Sequence, residues 1–380
     1  MTATSTSSRI GGLTTALPFA LSLGVIPLSV VAAIYGGWLI LLLPILAWHL
    51  SSIMDFALGQ QNDNPDAETP QAQLFWYKAI TLVWPPLQMI SIFGVLGYVI
   101  STGHLNRWEQ WGLFAVLGIS SGTIGVNYAH ELMHQQSKLE RWFADALLAS
   151  VLYAHFRSEH LLVHHRHVGT PADPVTARYG ESFYRFFPRV LIQSLISSFN
   201  AEKSMLARKG LPWHHASNPF WRYLTLQAGF VLLAALIGGW WGVFLFSVQA
   251  FWAVFQLELV NYVEHYGLTR KHLGDGKYEN VQPHHSWNAT QRASNWLLLN
   301  LQRHSDHHYK PNRRFPLLQT YDEETAPQLP YGYPLMTMLA LLPSPWRKVM
   351  HPRVRTWRKL HYPEIKDWTP YKRARNPVPK

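Results

Sequence analysis

Residues 109–134 read EQWGLFAVLGISSGTIGVNYAHELMH. No Asp, Glu, Lys or Arg falls between Glu109 and Glu131, so the stretch reaches the ~20 mostly apolar residues that cross a bilayer as a helix. It runs directly into His130 and His134. Four residues apart on a helix, these imidazoles share one face, one turn above the other, and both can point at one metal ion. A spanning helix that ends in two metal-ligand side chains sets the expectation for the whole chain. It predicts an all-α integral membrane protein with a metal site where its spans emerge.

Working outward, about six transmembrane helices are expected. Residues 14–57 are too long for one span and turn near Tyr35-Gly36-Gly37. The third covers about 75–100 through Trp84-Pro85-Pro86, the fourth is 109–134, and the last two are 219–246 and 248–268. Proline is tolerated in such helices. The polar GQQNDNPDAETP at 59–70 is a loop. The N-terminal MTATSTSSRI has only Arg9 before the apolar run and no clear cleavage site, so it reads as a retained membrane segment. The chain divides into spans 1–4 (1–134), a histidine-rich segment (135–218), spans 5–6 (219–268) and a C-terminal metal-binding segment (269–380), all in one integrated domain. Of 33 Lys and Arg, 10 lie in 135–217 and 19 in 269–380. The positive-inside tendency makes both polar segments a cytoplasmic helical cap at the inner membrane, with both termini on that side. Loop 59–70 fits this less well, since it carries no Lys or Arg. The alternative, buried helices of a large soluble protein, has to explain several charge-free stretches of ~20 residues or more.

The 380 residues include no cysteine and 20 histidines, with a net charge of +11. Without cysteine there are no disulfides, thiolate metal sites or iron–sulfur centres within the chain. No G-x-G-x-x-G fingerprint opens a strand–helix unit, so no flavin or nicotinamide domain is expected. Redox chemistry would need electrons from a partner or a bound organic cofactor. No nucleic-acid partner is expected.

Nine histidines have the spacing of ligands: His130, His134, His160, His164, His165, His265, His304, His307 and His308. On a helix His160 and His164 face one ion, with His165 turned toward a second, and His304 pairs with His307 or His308. Nine imidazoles suit two metal ions with four or five each, and imidazole suits iron, zinc and copper. The few accompanying carboxylates exclude a carboxylate-bridged di-iron bundle. Each ligand's second nitrogen needs an acceptor. Glu131, Glu159, Glu264 and Asp306 are candidates, as ion pairs with nearby arginines are the alternative. Asn127, Asn261, Tyr262, His284 and His285 are further outer-shell candidates. Taken alone, HELMH also matches the H-E-x-x-H signature of a membrane zinc metalloprotease with Glu131 as base, which leaves HLLVHH and HSDHH unexplained.

The pattern H-x3-H, H-x3-HH, H-x2-HH resembles the histidine-rich membrane di-iron superfamily of desaturases, hydroxylases and alkane monooxygenases. The finer strings NYVEHYGL (261–268), HHSWN (284–288) and LQRHSDHH (301–308) resemble its alkane 1-monooxygenase branch nearly letter for letter. GTPADPVTARYGESFYRF (169–186), DGKYE (275–279) and APQLPYGYP (326–334) are also similar. The resemblance runs from about 120 to the C-terminus. Met133, Val163 and Tyr309 depart from the family's usual residues beside the ligands, and with Trp48, a candidate gate, they are candidates for shaping a substrate channel. The resemblance implies two non-haem iron ions and hydroxylation of a terminal methyl group with O2. It implies two electrons from a rubredoxin, reduced in turn by a rubredoxin reductase. The basic surface would attract that acidic donor, or anionic membrane lipid. Alkane would enter from the bilayer. A xylene-type methyl hydroxylase and a fatty-acyl desaturase or hydroxylase are the related alternatives.

Overall fold

The computed structural model describes residues 11–368 except 276, and their side chains except those of 43 and 46–48. Among the described residues, four helices are long and apolar enough to cross a membrane: Leu13–Tyr35, Gln71–Thr102, Arg107–Met133 and Pro219–His265. The last, of 47 residues, is two helices meeting at Gly239, whose φ of 58° suits glycine. Beyond this break the chain doubles back so tightly that a Cβ on Gly242 would lie 2.3 Å from Ala234 O. The break expected near 247 is thus displaced: Ser247 continues the helix, its Oγ donating to Val243 O at 2.8 Å, and Gly239 supplies the backbone a turn requires. Another helical run, 37–58, follows the first span across the positive-φ pair Gly36 and Gly37.

Asn106 starts the third of these spans. Its side chain accepts from the N–H groups of Trp108 and Glu109, and Glu109 returns a carboxylate oxygen to the Asn106 N–H. This capping box satisfies otherwise orphaned donors. Glu109 Oε1 also accepts from the Gly37 N–H at 3.0 Å, pinning the first chain reversal to this helix start.

Lipid offers no hydrophobic drive for helix association, so close backbone approach does more of the work. A Cβ on Gly118 would lie 2.3 Å from Gln249 O, and one on Gly122 would lie 2.4 Å from Ala253 O. Arg107–Met133 therefore lies directly against the second half of Pro219–His265. Gly125 leaves space for Gln88, whose amide accepts from Trp84 Nε1 at 2.7 Å and donates to Ser150 Oγ at 3.1 Å. These two spans bring His130 and His265 to one end of the bundle. Amphipathic helices Lys138–Ser150, Phe183–Ala207 and Pro343–His361 close over that end, the last burying Trp346, Met350, Val354 and Trp357. Among the described residues the only paired strands form a small hairpin of His272–Gly274 and Lys277–Tyr278.

Candidate metal centre

Eight histidines form two sets, His130, His134, His160 and His307, and His164, His265, His304 and His308. Within each set the candidate ligand atoms lie within 4.8 Å of one another. His165 stands between them: its Nε2 is 2.9 Å from His160 Nε2 and 3.1 Å from His307 Nε2, and its ring centre is 4.6 Å from that of His308. His130 and His160 meet Nε2 to Nε2 at 3.0 Å, as do His304 and His265 at 3.1 Å and His308 and His304 at 3.0 Å.

These contacts cannot all be hydrogen bonds. A neutral imidazole has one N–H and one lone pair, yet His160, His165 and His304 each present Nε2 to two other Nε2 atoms. The Nε2 atoms of His134 and His164 are buried with no hydrogen-bond partner. Converging lone pairs are what a cation satisfies, so the residues fit bound metal. Burial and the neighbouring imidazoles hold His160, His165, His304, His307 and His308 well below the usual histidine range. Burial and then His164 hold His134 at about 3. These rings are neutral at physiological pH and able to ligate. An all-imidazole set suits a borderline metal such as iron.

The partition of ligands differs from the one that α-helical spacing predicts. His160–His164 is a π-helical turn. Its i→i+5 bonding stacks His165, not His164, over His160. His160 and His165 therefore meet Nε2 to Nε2, and His164 is sent to the other set. In the short helix His304–Tyr309 ordinary spacing holds: His304 pairs with His308, and His307 turns to the first set.

The outer-shell candidates fall in different places. Glu264 Oε1 lies 3.4 Å from His304 Nδ1. Glu131 turns away from the imidazoles. It accepts from Gln135 Nε2 at 2.9 Å and the Phe315 N–H at 3.2 Å, and it faces Arg314 at 3.8 Å. Its oxygens are thus held by Gln135, Phe315 and Arg314 rather than by an imidazole. Glu159 is fully buried without a hydrogen-bond partner, and burial together with Asp173 and Glu258 pushes its carboxyl well up. The Asp306 carboxylate holds Arg313 (2.7 and 2.6 Å), Tyr321 (2.6 Å) and the Gln319 N–H (3.0 Å) rather than an imidazole. Asn127 donates to Leu298 O, Asn261 to Glu258 at 3.1 Å and Tyr262 to Glu181 O at 2.6 Å. His284 and His285 form a separate group with Glu279. There the Gln282 N–H donates to His285 Nδ1 at 2.9 Å. That leaves the ring proton on Nε2, facing Tyr362 at 2.9 Å and Glu279 at 3.3 Å, so the group holds itself by hydrogen bonds.

One orienting carboxylate went unnoticed in the sequence. Asp173 Oδ2 lies 3.0 Å from His164 Nδ1 and accepts from Thr176 Oγ1 at 2.6 Å. It fixes the tautomer that aims His164 Nε2 at a metal. The only available signal was an acid nine residues past His164 in GTPADPV, a spacing with no local meaning.

A small, mostly apolar cavity of about 30 Å3 reaches His130, His160 and His304, between walls that include Val126, Leu257 and Val260. The channel candidates do not line it. Met133 is packed in the core and Val163 borders a different cleft beside Arg166 and Arg208. Tyr309 is half-exposed with Lys310 over its ring. The side chain of Trp48 lies outside the described residues.

Residues 106–340 match the family described as fatty acid desaturase. The chain is 39% identical over 316 residues to alkane 1-monooxygenase 2 of Pseudomonas aeruginosa, covering 82% of each protein. It is 37% identical over 304 residues to alkane 1-monooxygenase 2 of Alcanivorax borkumensis, covering 80% of this chain and 79% of that one. It is also 28% identical over 262 residues to the xylene/toluene monooxygenase hydroxylase component of Pseudomonas putida, covering 68% and 69%. With membrane-length helices, buried imidazoles ready for metal and relatives of this extent, the chain is a membrane oxidoreductase that belongs to the fatty acid desaturase family and, within it, to the alkane 1-monooxygenases.

Proposed function

We propose that this protein hydroxylates the terminal methyl group of medium-chain n-alkanes. The reaction consumes R–CH3, O2, two electrons and two protons and yields R–CH2OH and water. The observation that carries the reading is the apolar cavity abutting the two converging histidine sets. An unactivated C–H bond has no polar handle for acid–base chemistry, so two bound irons would supply the O2 activation and C–H oxidation. This chain's own residues do the rest. His130, His134, His160, His165 and His307 would hold one iron, and His164, His265, His304 and His308 the other. Asp173 orients His164, and Glu264 lies beside His304 without a hydrogen bond to it. The apolar wall excludes water and aims a methyl group at the centre.

Six membrane crossings follow if 37–58 crosses the bilayer and Pro219–His265 counts as two passes across Gly239. The basic segments 135–218 and 269–380 then form a cap on the cytoplasmic side of the inner membrane, in one domain with the spans 1–134 and 219–268. There they would meet a rubredoxin, reduced by its reductase, as electron donor.

The test is product analysis by the purified protein with rubredoxin and its reductase. C5–C16 alkanes, xylene and an acyl lipid are offered separately. Primary alcohols from medium-chain alkanes, with two irons per chain, are expected. Turnover of xylene or acyl lipid alone, or a single zinc per chain, overturns the assignment.

A further inference from the structure

Hydroxyls inside apolar helices normally bond to their own backbone. Ser29, Ser120, Thr225 and Ser247 each donate to the carbonyl four residues back, at 2.8–3.1 Å. Thr123 departs from this. Its Oγ1 is buried and has no hydrogen-bond partner. Thr123 sits in the π turn Ser121–Gly125, where α-helical register is interrupted. The turn is held on both sides: a Cβ on Gly122 would meet Ala253 O at 2.4 Å, and one on Gly125 would meet the Gln88 side chain. Thr123 also lines the apolar cavity that reaches His130, His160 and His304. A buried polar atom without a partner is costly and calls for an explanation. A bare alkane gives this hydroxyl nothing to bond.

We infer that Thr123 recognises an oxygenated chain end, its Oγ1 forming a hydrogen bond with the hydroxyl of a primary alcohol in the cavity. The inference rests on the alkane hydroxylation proposed above and deepens it. A cavity of about 30 Å3 that takes the methyl terminus of an alkane would also take the CH2OH terminus of a 1-alkanol, which makes the alcohol a ligand competing with alkane. Thr123 makes no bond to the reacting carbon and acts as a specificity-determining residue. Its position one turn before Asn127 and two before His130 lets one helix present both the metal ligand and the group that senses oxidation state.

The experiment measures inhibition of octane hydroxylation by 1-octanol in the full-length iron-loaded protein, comparing wild type, Thr123→Val and Thr123→Ser. Valine keeps the branched shape and removes the O–H. The inhibition constant for 1-octanol should rise about two- to twelvefold in Thr123→Val, the equivalent of one neutral hydrogen bond. The KM for octane should stay level or fall, and Thr123→Ser should restore inhibition. Equal inhibition of wild type and Thr123→Val overturns the inference. So does a parallel rise in octane KM, which would assign Thr123 a purely steric role. If Thr123→Val loses iron or Tm, Thr123→Ala is judged by the same criteria. Wild-type protein that oxidises xylene or acyl lipid but not octane would locate the failure in the proposed function itself, and the inference falls with it.

Discussion

Replacing Asp173 with Asn keeps the shape of the side chain beside His164 and removes its charge. Oδ2 accepts from His164 Nδ1 at 3.0 Å and Thr176 Oγ1 at 2.6 Å, while Oδ1 accepts from the Val175 N–H at 3.0 Å. Every one of these partners is a donor. An amide has one acceptor oxygen and a donor NH2, so in either orientation at least one donor faces another donor. A hydrogen bond to a charged group contributes about 1.5–3 kcal/mol. Outer-shell replacements beside metal-ligating histidines cost about 10–100-fold in metal affinity or activity, in agreement with that range at ~1.36 kcal/mol per decade. His164 belongs to the set with His265, His304 and His308, so the loss should fall on that set. The assay is iron per chain by atomic emission, before and after a timed chelator challenge. Asp173→Asn should lose about half its iron faster than wild type, and octane hydroxylation should drop by the 10–100-fold range. Wild-type iron retention with full activity would refute the reasoning. Asp306→Asn is the control. Its carboxylate holds Arg313, Tyr321 and Gln319, so it should lower Tm without selectively releasing iron.

His307→Ala should abolish octane hydroxylation and reduce bound iron; full activity would remove His307 from the ligand set. A methyl group on Gly118 would meet Gln249 O at 2.3 Å and Trp252 Cβ at 2.8 Å, so Gly118→Ala should force the two spans apart at a cost of about 1–3 kcal/mol. A detergent-solubilised variant with wild-type Tm would contradict that tight packing. For Glu279, burial pushes the carboxyl up, but hydrogen bonds from His285, the Lys271 N–H and Tyr362 outweigh it and hold it at about 2, below the ordinary 4.5. A depressed folded-state pKa contributes stability that is complete above the unfolded value and lost as pH falls through the folded one. Glu279→Gln should therefore flatten the Tm–pH curve between 4.5 and about 2, and an unchanged acid limb would dismiss the contribution of these hydrogen bonds.

The sequence by itself determined the helical membrane character and which histidines are candidate ligands. An apolar run of membrane length and histidines four apart are local patterns, readable without knowing what packs where. That His130, His134 and His265 share one end of the bundle follows from the same patterns, because they end two of the spans. Even the chain reversal inside Pro219–His265 was legible as a need, though its place at Gly239 rather than near 247 depended on which residue tolerates positive φ. Only the tertiary structure decided how the histidines divide. The π turn at His160–His164 has no sequence signature here, and it sends His165 rather than His164 to stand over His160. Tertiary packing likewise chose Asp173 over Asp306 as the carboxylate beside an imidazole, and it placed Thr123, not Met133 or Tyr309, on the cavity wall. The physical reason is that helical period fixes which face a residue shares with its neighbours along the chain. Which groups meet that face is fixed by segments far away in sequence, through close packing and the demand that buried polar atoms find partners.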